Sequence, residues 1–395
     1  MKAIMSARNR IIFIVIFFLL ANSSGCVNRR EVDKLGLLGV IAVDHVDNQT
    51  VVTMEVTKPR RLTGGGTAAK EPYVIVQTRG DSFFDAVRNA TNKFDRKIFL
   101  STCRIFIISE TTAKKGIAEI LDLWCRDHEG RESDYILIAK DTEASGILGI
   151  SGGVDDVPSQ YLTDLIRANS ASSKSVAKRI YDFIEEYYSD GIQPTLGVAQ
   201  IEKKAKPVEK KNSETLLEGT AVFKKDKMVG YLDGLETRAL NFIKGKVKSG
   251  IIVTPSTEEN KYDSVEIIKA KSKMDVSIQD KSPLLHVIIT VNGMLGEDQS
   301  SEDISDLMVM KQLEKSAEEV VKKQVQNVIE KAQKEYGLDI FGFGLVVHRK
   351  YPDQWKKMKD NWDGTFSESN IQVEVKVNIS RTGLFRLPTK TKMGK

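Results

Sequence analysis

The apolar run from Ile11 to Ala21 sets the terms for everything after it. It is 11 residues long, whereas a helix needs ~20 apolar residues to cross a bilayer, so it does not hold a membrane by itself. Lys2, Arg8 and Arg10 precede it with no acidic residue among them. A basic start, a short apolar centre and the small residues Ser23-Ser24-Gly25 make the pattern of a secretory signal peptide over residues 1–25. No later run approaches spanning length. The rest of the chain must therefore fold in water around cores that it supplies itself.

The residue after that boundary is Cys26. The stretch Leu19-Leu20-Ala21-Asn22-Ser23-Ser24-Gly25-Cys26 resembles a bacterial lipobox, in which the thiol receives a diacylglycerol and the cysteine becomes the first mature residue. A thiolate is a good nucleophile for such an alkylation. Each buried methylene contributes ~0.8 kcal/mol, and two acyl chains make a stable anchor. Ser23 stands where the pattern prefers leucine. The alternative is an ordinary signal peptide with an incidental cysteine. Cys103 and Cys125 fall in a strand-like and a helix-like run and read as buried free thiols. A disulfide between them is the alternative, which no framework of paired cysteines demands.

With 395 residues the chain has room for two or three domains. Removing residues 1–25 lowers the formal net charge of +5 by three. What remains is nearly balanced, without the clustered basic face of a nucleic-acid binder. His45, His128, His286 and His348 show no metal-ligand spacing. There is no His-Glu-x-x-His, no Cys-x-x-Cys and no complete Ser-x-x-Lys set. No catalytic residue, cofactor or metal is therefore nominated, and the weight moves from an enzyme to a binding or assembly subunit.

Apolar spacing places the elements. Leu35 to Val43 and Thr50 to Thr57 predict a hairpin about Asp44-His45-Val46-Asp47-Asn48. Lys58 to Glu71, with Arg60, Arg61 and Gly64-Gly65-Gly66, reads as a connector and a candidate contact surface, since phosphate-loop spacing is missing. Tyr73 to Thr78 is a strand, and Asp81 or Ser82 caps a helix carrying Phe83, Phe84, Val87 and Ala90. Ile98 to Ser109 reads as one central strand. Thr111 or Thr112 opens a helix with Ile117, Ile120, Leu121 and Trp124, and Tyr135 to Ala139 is again a strand. Val157 to Tyr188 reads as helical, with Val176, Ile180, Phe183, Ile184 and Tyr187 as its stripe.

Gln193 to Ile201 is extended, and the charged residues 202–214 read as a solvated insertion in a hairpin. Short strands flank Lys225-Asp226-Lys227, and Asp233 with Glu236 makes a capping box for a helix through Phe242. Ile251 to Thr254, Val265 to Ala270, Met274 to Ile278 and Leu284 to Leu295 are strands, the last three a meander. A helix from Asp303 to Tyr336, ~50 Å long, stops at Gly337. Asp339 caps a helix to about His348, Pro352 starts one holding Trp355 and Met358, and Ile371 to Ile379 returns as a strand. The fold class is α+β, with mixed β-sheets, helices packed on them and one long amphipathic helix near the C-terminus. The expected divisions are the signal peptide, an N-terminal α/β domain over 26–190, a small α+β domain over 191–255, a C-terminal α+β domain over 256–388 and a basic tail over 389–395.

Gly219-Thr220-Ala221-Val222-Phe223-Lys224, Met228-Val229-Gly230-Tyr231-Leu232-Asp233 and Glu236-Thr237-Arg238 resemble the C-subunit family of bacterial spore germination receptors, Ger(x)C. The likeness runs in order through nearly the whole chain after Cys26. It takes in Arg30-Glu31-Val32-Asp33-Lys34-Leu35, Leu38-Gly39-Val40-Ile41-Ala42-Val43-Asp44, Asp339-Ile340-Phe341-Gly342-Phe343-Gly344, Tyr351-Pro352 and Trp355. Val27 stands where the family often has tryptophan. The resemblance implies a lipoprotein of three domains, acylated on Cys26, at the outer face of the inner spore membrane. It implies a nutrient receptor shared with polytopic A and B subunits, and neither a nucleic-acid partner nor direct nutrient binding is expected. The alternatives are a solute-binding lipoprotein of a transporter and a cell-wall hydrolase on a lipid tether. The strand-rich second half argues against the first.

Overall fold

The computed structural model describes residues 12–14, 16, 34–57, 72–150, 155–203, 213–256, 258–279, 282–300, 302–304 and 306–381. Cys26, the 58–71 loop, most of the 202–214 insertion and the basic tail lie outside them. The first sheet holds β1 (Leu35–Val46), β2 (Gln49–Thr57), β3 (Tyr73–Gly80), β4 (Lys97–Phe99), β5 (Ile105–Ser109), β6 (Tyr135–Ala139), β7 (Thr195–Lys203), β8 (Ser213–Lys224) and β9 (Lys227–Leu232). Their order is β3-β2-β1-β5-β6-β7-β8-β9, with β4 also beside β1. The central block β1-β5-β6-β7 is parallel, and antiparallel strands complete each flank. The sheet thus runs on across residue 190, so that β7, β8 and β9 share it with the strands before them.

Helices cover both faces. The first face packs on α1 (Phe83–Arg88), α2 (Glu110–Lys115), α3 (Ala118–Arg126) and α6 (Ile180–Tyr188), through Phe83, Ala113, Trp124 and Phe183 against Ile41, Val43 and Phe106. The second packs on α4 (Ala144–Leu148) and α5 (Pro158–Ala168), through Ile147, Leu162 and Ile166 against Val40, Ala42 and Ile107. Strands dry on both faces have no polar side to show, which is why β1 and β5 read as unbroken apolar runs. Buried helix starts need acceptors for their free N–H groups. The strands supply them: Asp44 accepts from the N–H of Ala144 at 2.7 Å and of Ser145 at 3.1 Å, and Glu55 accepts from the N–H of Ser159 at 2.8 Å.

The second sheet orders β10 (Ile251–Pro255), β11 (Tyr262–Gln279), β12 (Ser282–Glu297) and β13 (Asn370–Arg381). The first three are an antiparallel meander, and β13 lies parallel to β12. A parallel neighbour demands a crossover. It is made by α8 (Leu307–Lys331), a π-helical turn over Ala332–Tyr336, and the short helices α9 (Phe343–Lys350), α10 (Pro352–Met358) and α11 (Trp362–Glu368). The long helix and α7 (Gly234–Ile243) bury Leu240, Val321, Val325 and Val328 with Val287, Ile289 and Val291. Gly337 ends it with φ +65°, where only glycine is unstrained.

Several expectations need correction. Ile98 to Ser109 is two strands around a 3₁₀ turn, Leu100–Thr102. A bulge at Gly39 kinks β1, and the chain loops past it before the Arg104 N–H closes on the Gly39 carbonyl at 2.9 Å. Val157 to Tyr188 is two helices rather than one, and Val176 lies between them. Val265–Ala270 and Met274–Ile278 belong to one strand, because Lys271, Ser272 and Lys273 pair with Thr290, Ile289 and Ile288 instead of turning. Cys103 is buried as expected, but Cys125 is exposed; both are free thiols. Its place on α3 is one residue past the inward Trp124. The helix expected at Asp339 begins only at Phe343, and α11 was not foreseen.

Two buried aspartates show what decides the cost of such a group. Asp339 is fully buried, and burial pushes its carboxyl up against four hydrogen bonds. They come from the N–H groups of Phe341 (3.0 Å), Gly342 (2.8 Å) and Gly344 (2.8 Å) and from Trp362 Nε1 (2.9 Å). Asp134 is buried with Oδ2 unpartnered, and burial carries it to about 7. Asparagine has opposite effects at the two positions. Asp339→Asn sets an amide N–H₂ against N–H donors and lowers the unfolding free energy by about 2–3 kcal/mol. At Asp134 the unfolded carboxyl ionises near its ordinary value while the folded one keeps its proton, so stability falls as pH rises from about 4 to about 7. Asp134→Asn removes that loss, and urea titrations at about pH 5 and about pH 8 will show the variant gaining more on the parent at the higher value.

Candidate functional site at the junction of the two sheets

The segment between α5 and α6 builds the site. Ser170-Ala171-Ser172-Ser173-Lys174-Ser175 is rich in side chains that bond their own backbone and leave a helix. Ser173 takes φ +55°, and the chain then runs extended, bridging Ser175 to Gly219 and Arg179 to Tyr135. This path brings Lys178 against Glu186 on α6. Lys178 Nζ donates to Glu186 Oε2 and, at 2.8 Å, to Thr195 Oγ1 at the start of β7. Lys244, the residue that closes α7, donates to Glu186 Oε1 at 3.0 Å. The Thr195 N–H adds a bond to Oε2 at 3.2 Å.

One carboxylate therefore serves two ammonium groups, and the three side chains are only 12–15% exposed. Burial lowers Lys178 to about 8, helped by the Lys244 charge and opposed by Glu186. Burial alone would raise Glu186, but the two ammonium groups outweigh it and hold the carboxyl below the ordinary range. The triad joins the two sheets, since Lys178 and Glu186 belong to the first and Lys244 to the helix packed on the second.

Other contacts close the same junction. The Gln193 N–H donates to the Asp339 carbonyl at 2.7 Å, its Oε1 accepts from the Lys225 N–H at 2.9 Å, and its Nε2 lies 3.3 Å from Asp363. Asn241 Nδ2 donates to the carbonyls of Ser173 (3.0 Å) and Ser175 (3.1 Å). Tyr336 donates its hydroxyl to the Tyr231 carbonyl at 2.8 Å. The backbones of Gly191 and Gly344 touch: a Cβ on Gly191 would lie 2.7 Å from the Gly344 carbonyl carbon. Beside these contacts a cleft of about 1000 Å³ opens, walled by Val176, Ile184, Ile192, Phe341 and Leu345.

Among the described residues no cluster of three or more His, Cys, Asp or Glu could hold a metal ion. The expectation from sequence that Gly-x-Ser-x-Gly is absent needs correction: Gly149-Ile150-Ser151-Gly152-Gly153 has that spacing, the one of a nucleophile elbow. It follows α4 rather than a strand, so among the described residues no strand leads into it as an elbow requires, and Ser151 lies outside them. Cys26, the one site residue nominated from sequence, also lies outside them. Lys178, Glu186 and Lys244 went unnominated. Glu186 did leave a signal, because it falls three residues after Phe183 on the inward stripe of α6.

Comparison with known proteins accounts for nearly the whole chain. The family model for the spore germination protein N-terminal domain matches residues 28–201. That for the spore germination B3/GerAC-like C-terminal domain matches residues 218–383. Spore germination protein KC of Bacillus subtilis (strain 168) is 27% identical over 93% of this chain and 94% of its own. Spore germination protein B3 of the same organism is 25% identical over 94% and 97%. The crystal structure of the GerBC protein shares the fold, with a TM-score of 0.57 and 21% identity over 86% of this chain and 96% of that one.

The shared carboxylate gives the junction a clear energetic signature. Glu186→Gln leaves two buried ammonium groups without an anion and costs about 3–5 kcal/mol of unfolding free energy. Adding Lys178→Met to that variant removes one stranded charge and restores part of the loss. Denaturant titrations of the parent, the single and the double variant measure both steps.

Proposed function

This chain belongs to the GerAC-like C-subunit family of spore germinant receptors, and on that premise we propose that it is a lipid-anchored subunit that joins polytopic A and B subunits in the spore membrane. The family gives the chain a role in spore germination, and its members are non-enzymatic receptor subunits. The observation that carries the fuller reading is the position of the family match. It starts at residue 28, two residues after Cys26, and continues with one gap to residue 383.

Chain geometry supports it. From Cys26 to Leu35 the chain spans nine residues, which reach at most ~30 Å when fully extended. An acylated Cys26 therefore keeps the start of β1 close to the lipid. Thr57 pairs with Leu37, Tyr73 with Thr57, and Lys97 with Leu35. β2 thus ends, and β3 begins, at the same end of the sheet as the start of β1. Confinement there raises the effective concentration of the body for membrane partners. The described helices include none long and apolar enough to cross a membrane. The first sheet and the meander of the second have unlike topologies, which disfavours a solute-binding protein of two repeated lobes.

Cys26→Ala blocks acylation. The expected result is release of the chain from the membrane fraction and a weakened response to nutrient, read by fractionation and by the loss of spore optical density. Full retention with normal germination would sink the proposal. Gentle extraction of the parent should copurify two polytopic proteins.

A further inference from the structure

The cleft at the junction carries more positive charge than the fold uses. Five cations line it, Lys178, Lys244, Lys246, Lys248 and Arg349, against three acids, Asp182, Glu185 and Glu186. Glu186 is taken by Lys178 and Lys244 together, so the triad at the cleft floor has one positive charge in excess. Asp182 already accepts the Arg179 N–H at 2.8 Å, as the cap of α6. Glu185 stands exposed at the rim. Lys246, Lys248 and Arg349 are also exposed and make no ion pair among the described residues. Exposed cations do not stabilise the folded chain, and here they converge from two different elements on one recess.

We propose that this cleft binds a small organic anion bearing carboxylate or phosphate groups, with Lys246, Lys248 and Arg349 closing on it at the mouth and Lys244 meeting it from the floor. The apolar walls of Ile184, Ile192 and Leu345 lower the local dielectric, which strengthens each charge interaction relative to open water. A guanidinium offers two parallel N–H bonds to a carboxylate or phosphate, whereas the ammonium groups act as point charges. The volume of about 1000 Å³ lies at the upper end of small-molecule sites. Residues of both sheets line the cleft, so an anion within it stabilises the junction as well as itself. Nothing in this site uses Cys26, so its failure and the failure of the membrane reading are separate results.

The test uses the purified full chain in an uncharged detergent at low salt. Citrate, inorganic phosphate and glycerol 3-phosphate are titrated calorimetrically, with glycerol as the uncharged control, and thermal unfolding is followed in parallel. At least one anion should bind saturably at one site and raise the unfolding temperature, while glycerol does neither. Which anion binds separates a polycarboxylate from a free phosphate and from a phosphate ester. The rim variant Lys246→Gln/Lys248→Gln/Arg349→Gln removes only exposed groups and should melt as the parent does without ligand, yet bind at least about tenfold more weakly. Lys244→Gln is a second variant that probes the floor. No saturable binding of any of the three anions up to ~10 mM, or equal affinity in parent and rim variant, would overturn the proposal.

Discussion

The centre of the first sheet has no wet face, and much of the molecule follows from that. Four parallel strands run through its centre, each buried on both sides by helices. Burial of this kind stabilises strongly, at about 25 cal/mol per Å² of apolar surface, but it also brings helix ends into dry surroundings. An N–H left without an acceptor there costs about 1–3 kcal/mol. The chain meets the need by setting acids into apolar strands. Asp44 and Glu55, two of the few polar residues in β1 and β2 that are buried, each receive a helix start. Gly39 lets one of those starts approach, since a Cβ there would sit 2.6 Å from Ser159 Oγ.

The second sheet solves a different problem. Three of its strands are a simple meander, but β13 joins as a parallel neighbour and so must be reached by a crossover. The long helix makes most of the journey, and the return is held by Asp339, whose carboxylate gathers three backbone N–H groups and the Trp362 indole. The helix start so fixed, that of α9, carries Gly344, which abuts Gly191 of the first half. The turn that closes the second core thereby sets the distance between the two sheets.

A non-enzymatic receptor subunit needs rigid surfaces more than a reactive centre. The junction offers one, built from backbone contact, Gln193 bridges and the shared Glu186 carboxylate. Its charges are unequal, however, and the cleft beside it is larger than packing requires. A purely structural interface would be expected to neutralise itself, as the ion pair between Lys331 on α8 and Glu236 on α7 does at 2.9 Å within the second core.

Much was written in the sequence. The hairpin of β1 and β2, the capping box at Asp233 and Glu236, the stop at Gly337 and the start at Pro352 all depend on residues close to one another, so local chemistry determined them. The family resemblance was equally legible, because it is a property of order along the chain. Tertiary structure decided the rest. The break in Ile98 to Ser109 answers a bulge in a strand some sixty residues earlier. Lys271 to Lys273 stays extended because β12 pairs with it, although its own composition suggested a turn. Lys178, Glu186 and Lys244 come together only when two sheets meet, and a charge reveals its partner only once water between them has been excluded.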